Sequence, residues 1–170
     1  IYPLNTMMST KAVAEYVQGK EVDGREVYDR GFKHLKQNVE LDSDVYYHIG
    51  NTYRATTHFH QAFQTIPYIE AHGPPVCGKT RCNYSIASAC FHPVLSPDFS
   101  DAGFYYLRES AHCTASLDER NLKRRDETKL VDLINNAYKR GGQVVRMVKN
   151  PSTGTFTPRV FSVYGPLIYS

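Results

Sequence analysis

Gly73-Pro74-Pro75-Val76-Cys77-Gly78-Lys79-Thr80 is the stretch that decides how the rest of this chain is read. Two glycines bracket four residues, and a lysine and a threonine follow the second glycine. That is the Gly-x4-Gly-Lys-Ser/Thr pattern of a phosphate-cradling turn. At ordinary glycine frequency, a chance match in a chain of this length is below roughly one in a hundred. Tyr68-Ile69-Glu70-Ala71-His72 reads as a strand running into the turn, and Lys79 to Ala89 as the helix leaving it.

A polyphosphate explains the pattern. Successive main-chain N–H groups in such a loop form an anion nest. The first turn of the helix adds unpaired N–H groups at the positive end of its dipole. Gly78 lets backbone approach phosphate closely. Lys79 is placed to reach the β and γ phosphates, and the Thr80 hydroxyl to ligate Mg²⁺. Pro74 and Pro75 stiffen the loop and remove two N–H donors ahead of the main cradle. The expected ligands are ATP and Mg²⁺, with the nucleotide held by Gly73, Pro74, Pro75, Val76, Cys77, Gly78, Lys79, Thr80 and Arg81. The competing reading is a Gly/Pro-rich surface turn that precedes a lysine.

Such a loop works with an Asp at the end of a second buried strand, which positions Mg²⁺, and commonly a Glu beside it, which orients water. Phe104-Tyr105-Tyr106-Leu107 is the most apolar lead, but Arg108-Glu109 follows, and arginine is the wrong charge at a metal. Asp126-Glu127 follows Lys123-Arg124-Arg125, which no buried strand tolerates. Thr114-Ala115-Ser116-Leu117-Asp118-Glu119 has strand length and both acids in order, so Asp118 is expected to hold Mg²⁺ and Glu119 to act as base. Glu70 and His72 are unexpected in a strand that should be central, because an unpaired buried Glu70 would cost several kcal/mol. Asp118-Glu119 as a helix N-terminal acidic pair remains the alternative.

Upstream, Ser9 to Val17 and Arg25 to Gln37 read as helices, the second with Val27, Phe32 and Leu35 on one face. Asp42-Ser43-Asp44 caps a long helix to about Thr65, ended by Pro67, with Val45, Ile49, Tyr53, Thr56, His60 and Phe63 as its inward stripe. His48, His58 and His60 read as rim histidines rather than metal ligands. Downstream, Val94-Leu95-Ser96 and Val144 to Val148 read as strands, as does Phe161 to Tyr164, within a C-terminal stretch that reads as strand as far as Ser170. Asp101 to Ser110, capped by Ser100, and Asp126 to Lys139, stopped by Gly141-Gly142, read as helices. Strands alternating with helices imply an α/β sheet with crossover connections.

The 41% hydrophobic content, with 13 Tyr and 8 Phe, excludes a disordered chain, and a net charge of +3 names no partner. Lys123-Arg124-Arg125 reads as a solvated helix end. No run approaches the roughly 20 apolar residues of a membrane span. Cys77, Cys82, Cys90 and Cys113 form no CxxC pair, and a zinc site from Cys77, Cys82 and His92 has the wrong spacing. Reduced thiols in a cytoplasmic protein are the expectation. The chain reads as a piece of something longer.

Pro67-Tyr68-Ile69, the Gly73 to Arg81 loop, Leu117-Asp118-Glu119, Ile134-Asn135-Asn136-Ala137-Tyr138-Lys139-Arg140-Gly141-Gly142 and Phe161-Ser162-Val163-Tyr164-Gly165-Pro166 occur in that order. From about Val39 onward the chain resembles the ATPase core of archaeal and plasmid- or virus-borne DNA replication and helicase-like proteins of the AAA+/RecA-like class. The resemblance implies a parallel-sheet P-loop NTPase core over 67–170, incomplete at its C-terminal end, behind an N-terminal helical segment over 1–66. It implies ATP-driven work on DNA by a homo-oligomer, with Arg140 as the arginine that completes a neighbour's site. Glu70, His72, Asn83, Ala115 and Ser116 depart from the apolar residues expected there, and the chain stops about where a polar sensor residue and a helical lid would follow. A P-loop kinase of a nucleotide or small molecule, and a non-hydrolysing nucleotide-binding or assembly domain, are the alternative functions.

Overall fold

The computed structural model describes residues 14–15, 17–96, 99–117 and 128–170. Of the first expected helix, Ala14, Glu15 and Val17 are helical, and the rest lies outside the described residues. Helices α1 (Gly24–Asn38) and α2 (Asp44–His58) follow, then a 3-10 turn His60–Ala62. The order continues β1 (Ile69–Glu70), α3 (Lys79–Ala87), β2 (Pro93–Leu95), α4 (Asp101–Ala111), β3 (Thr114–Leu117), α5 (Thr128–Ala137), β4 (Gln143–Lys149), β5 (Phe156–Ser162) and β6 (Leu167–Tyr169).

The fold is α/β. Four strands form a parallel sheet in the order β1-β6-β3-β2. Side chains alternate across it. Ala115, Leu117 and Leu167 join one core with Phe104, Leu130, Leu133, Ile134 and Phe161. Ile168 joins the other with Leu35, Tyr47, Tyr53 and Ile86. So α4, α5 and β5 cover one face, and α1, α2 and α3 the other. The helical N-terminal segment therefore shares a core with the sheet.

Three expectations change. First, β4 and β5 are not further parallel strands; they form a separate antiparallel hairpin in full register from Gln143↔Ser162 to Lys149↔Phe156. The strand expected at Phe161 to Ser170 ends at Ser162, and β6 begins afresh at Leu167. A turn of Pro151 to Gly154 is short enough to return the chain only antiparallel. Second, β1 lies at the edge of the four described strands, not at their centre. An edge strand tolerates polar residues, which accounts for Glu70: it is exposed, its carboxylate 2.8 Å from His72 and accepting from the Tyr169 hydroxyl at 3.1 Å.

Third, α2 ends at His58 rather than near Thr65, and of the expected stripe Tyr53 and His60 are buried but Val45, Ile49 and Phe63 are exposed. Val45 and Ile49 are 60% and 52% exposed, whereas Tyr47, Gly50, Asn51, Tyr53, Arg54 and Thr57 are buried. Gly50 lets Leu35 and Ile86 close in. Arg54 donates to Ile86 O (3.1 Å), Gly31 O (2.9 Å) and Ser85 O, joining α1, α2 and α3. The Tyr53 hydroxyl donates to Leu167 O at 2.9 Å, which anchors α2 to β6. Side chains that satisfy backbone carbonyls can be buried despite their polarity. On α1 Leu35 is buried and Phe32 half-buried, but Val27 is exposed. No helix among the described residues is long and apolar enough to cross a membrane.

Candidate functional site

The glycine-rich stretch joins β1 to α3 at the carboxyl edge of the parallel sheet. This is where ligands bind in open α/β sheets. Gly78 is the N-cap of α3 with φ 94° and ψ 16°, a left-handed conformation that suits glycine. Asp23, Ser43 and Ser100 cap α1, α2 and α4 through side-chain oxygens, but no side chain caps α3. Its amino-terminal amides are thus presented to the loop. Gly73 to Gly78, Thr80 and Arg81 are exposed. The Lys79 ammonium folds back over the loop, donating to Gly73 O at 2.9 Å and Pro74 O at 3.3 Å. Val76 has φ 67°, a strained value for a β-branched residue.

The strands that meet the loop end level with one another. Tyr169 of β6 is in register with Glu70 of β1 on one side and with Leu117 of β3 on the other. Two strand spacings separate the ends of β1 and β3, roughly 10 Å. Asp118 and Glu119 follow Leu117 and lie outside the described residues, as do Lys123, Arg124, Arg125, Asp126 and Glu127. Thr-Ala-Ser-Leu does form a strand, and all four residues are buried between β6 and β2. Ser170 emerges between the ends of β1 and β3, with its hydroxyl buried and lacking a partner among the described residues. Beneath the loop, Thr80, Asn83, Tyr84, Ser96, Ser116 and Leu117 line a crevice of about 10 Å³.

Arg140 is not brought to this edge. Its N–H donates to Gln64 O at 2.8 Å, ahead of β1, and Gly165 N–H donates to Ala137 O at 3.0 Å, ahead of β6. It is exposed at the amino edge of the sheet, opposite Lys79. His92 also lies at that edge, where its Nδ1 is 3.0 Å from Ala111 O, so it cannot join Cys77 and Cys82. The four cysteines are free thiols. Burial pushes the Cys82 thiol up, and Cys90 up to about 12. His48, His58 and His60 are engaged separately: with Tyr28 Oη at 2.9 Å, Ala89 O at 3.2 Å and Thr57 O at 2.7 Å. No three His, Cys, Asp or Glu among the described residues are grouped to hold a metal.

Asn83, Ser116 and Ser170 are buried polar residues at this edge that motif reading did not assign. Their signal in the sequence was polarity at positions expected to be apolar, or, for Ser170, position at the end of the last strand. No family model, no curated protein and no solved structure matches the chain.

Proposed function

We propose that this chain is an ATP-binding, Mg²⁺-dependent P-loop ATPase module of the AAA+/RecA-like kind, working on DNA. The observation that carries the reading is the position of residues 73–80: a strand–loop–helix turn at the carboxyl edge of a parallel sheet, ending in a left-handed glycine and an uncapped helix. Backbone amides and the helix dipole favour an anion there. Lys79 neutralises phosphate charge. Thr80 and Asp118 would hold Mg²⁺; a hydroxyl and a carboxylate are hard oxygen ligands of the type this ion takes. Bound there, the ion would supply neutralisation of phosphate charge. Glu119 orients the attacking water, and Arg140, on the far edge of the sheet, serves a neighbouring copy's site.

The DNA half of the reading rests on charge. From Leu133 to Ser170 there is no Asp or Glu, while Lys139, Arg140, Arg146, Lys149 and Arg159 lie on the hairpin and its entry. Arg146 and Arg159 face each other directly across the β4–β5 ladder. Like charges opposite one another are unfavourable. Each is partly compensated by an aromatic ring: Arg146 lies 5.6 Å from the Tyr105 centroid, and Arg159 4.8 Å from that of Phe161. A polyanion would complete the compensation.

The test is phosphate release with and without single-stranded DNA. DNA-stimulated release that is lost in Lys79→Ala and Glu119→Gln supports the reading. ATP consumption only with a second substrate would instead indicate a kinase. Tight binding without turnover would indicate a non-hydrolysing domain.

A further inference from the structure

Asn83 sits three residues after Thr80, on the same face of α3. It is 2% exposed, and its Oδ1 has no hydrogen-bond partner among the described residues. Leucine has the same branched outline, with bulkier methyl ends, and would leave no unpaired polar atom at such a position. An amide there requires a donor that comes from outside the side chains around it. The crevice beside it is about 10 Å³, close to the least space that holds one water. A buried water needs two to four polar partners. Ser116, Ser96 and Thr80 are among the residues that line the same crevice. Ser116 belongs to β3, in the layer beneath α3, and is itself almost fully buried.

We propose that Asn83 is a positioning residue for magnesium: one water shared with Ser116 beneath Thr80 ties the first turn of α3 to β3 and fixes the orientation of the Thr80 hydroxyl. This rests on the reading of residues 73–80 as a Mg²⁺–nucleotide loop. A hydroxyl that ligates a metal binds it best when its orientation is set in advance by an outer partner, and loss of such a partner typically costs tenfold or more in metal affinity. Asn83 therefore acts on the Mg²⁺-dependent part of binding alone. The amides and Lys79, which take up the phosphates, lie on the other side of Thr80.

The experiment is calorimetric titration of ADP into the whole chain, with EDTA and across a Mg²⁺ series, for the unaltered protein, Asn83→Leu, Ser116→Ala and Thr80→Ala. Asn83→Leu and Ser116→Ala are expected to bind ADP in EDTA within about twofold of the unaltered chain, and to need about tenfold more Mg²⁺ for half of the Mg²⁺-dependent tightening. Thr80→Ala should lose that tightening altogether. An unchanged Mg²⁺ midpoint in both crevice variants, or an equal loss with and without Mg²⁺, overturns the role of Asn83 and leaves the nucleotide loop standing. Absence of ADP binding by the unaltered chain in either condition overturns the loop reading itself, and this inference with it. Should Asn83→Leu not fold, Ser116→Ala decides from the opposite wall of the crevice.

Discussion

The ammonium of Lys79 donates to the main-chain oxygen of Gly73 across 2.9 Å, so the last part of the loop is held to its first residue. A second bond, 3.3 Å to Pro74 O, shares the same group. These are half-exposed contacts with water as competitor, so they add little stability. Transferred to phosphate oxygens the same ammonium makes charge-assisted bonds, worth about 1.5–3 kcal/mol each. Lys79→Ala is therefore expected to weaken ADP or ATP binding by roughly ten- to a hundredfold, while its urea midpoint stays nearly unchanged. Equal nucleotide affinity in the two proteins, read by calorimetry, removes the phosphate assignment.

Val76 and Gly78 respond oppositely to substitution. Both are left-handed, at φ 67° and 94°. A side chain in this region costs about 1–2 kcal/mol, and glycine loses about 0.5–1 kcal/mol of that advantage through a more flexible unfolded chain. Val76→Gly should therefore stabilise the protein by up to about 1 kcal/mol, and Gly78→Ala should destabilise it by about 1 kcal/mol. In a chain of this size these are Tm shifts of a few degrees, read by thermal melting. A lower Tm for Val76→Gly would mean that the valine is not strained.

What could be read from the sequence follows from how local each signal is. Caps are local: Ser43 and Ser100 start α2 and α4 as expected, because a hydroxyl reaches the amides two or three residues on without help from the rest of the fold. The strand–loop–helix turn around Gly78 was legible for the same reason. Pairing is not local. Nothing in Phe161-Ser162-Val163-Tyr164 says that its neighbour is Gln143 to Lys149 rather than a strand of the sheet. The α2 stripe held at Tyr53 but failed at Val45 and Ile49, because hydropathy ranks these above Arg54 and Thr57, although Arg54 is buried by three carbonyls contributed by α1 and α3, which a helical wheel does not contain. Asn83 and Ser116 looked like defects in a core. Their meaning needed the crevice, and the crevice exists only once α3 lies over β3.

Arg108 is the largest such case, 1% exposed and without a carboxylate partner among the described residues. It lies 5.0 Å from the Phe104 ring centroid and donates to Cys113 O and, at 2.8 Å, to Pro166 O, joining the starts of β3 and β6. Burial pulls its pKa below that of ordinary arginine. Arg108→Ala should cost about 3–5 kcal/mol, through a cavity plus an abandoned carbonyl. Arg108→Met refills the space and removes a desolvated charge. Pro166 O keeps its bond from Ala115 N–H at 3.1 Å, so only Cys113 O is left unpaired by this arginine. Its cost should be about 1–2 kcal/mol. Urea unfolding that ranks Met below Ala would contradict this account of the site.

Stability should also fall with acidification, for a reason visible at His60. Its Nδ1 lies 2.7 Å from Thr57 O, so that nitrogen carries the proton, and Nε2 is buried with no partner among the described residues. A second proton would place an unpaired N–H⁺ among Phe91, Tyr164 and their neighbours. Burial, above all, holds its pKa below the ordinary 6.5 against the pull of the Thr57 carbonyl, with Arg108, His112 and His58 adding repulsion. His34 is lowered too, by burial and by Arg54 at 3.0 Å. Both hold a proton less tightly in the folded chain than when unfolded, where the ordinary value is near 6.5. Between the folded value and 6.5 the unfolded state binds more protons, so stability rises with pH there and is lost as pH falls through 6.5. At buried His60 each unit of depression is worth about 1.4 kcal/mol; at exposed His34 solvent screens most of the effect. Urea unfolding at a series of pH values from neutral to mildly acidic should give a declining midpoint in the unaltered protein and a flatter one in His60→Gln. A slope that survives unchanged in that variant would place the acid sensitivity elsewhere.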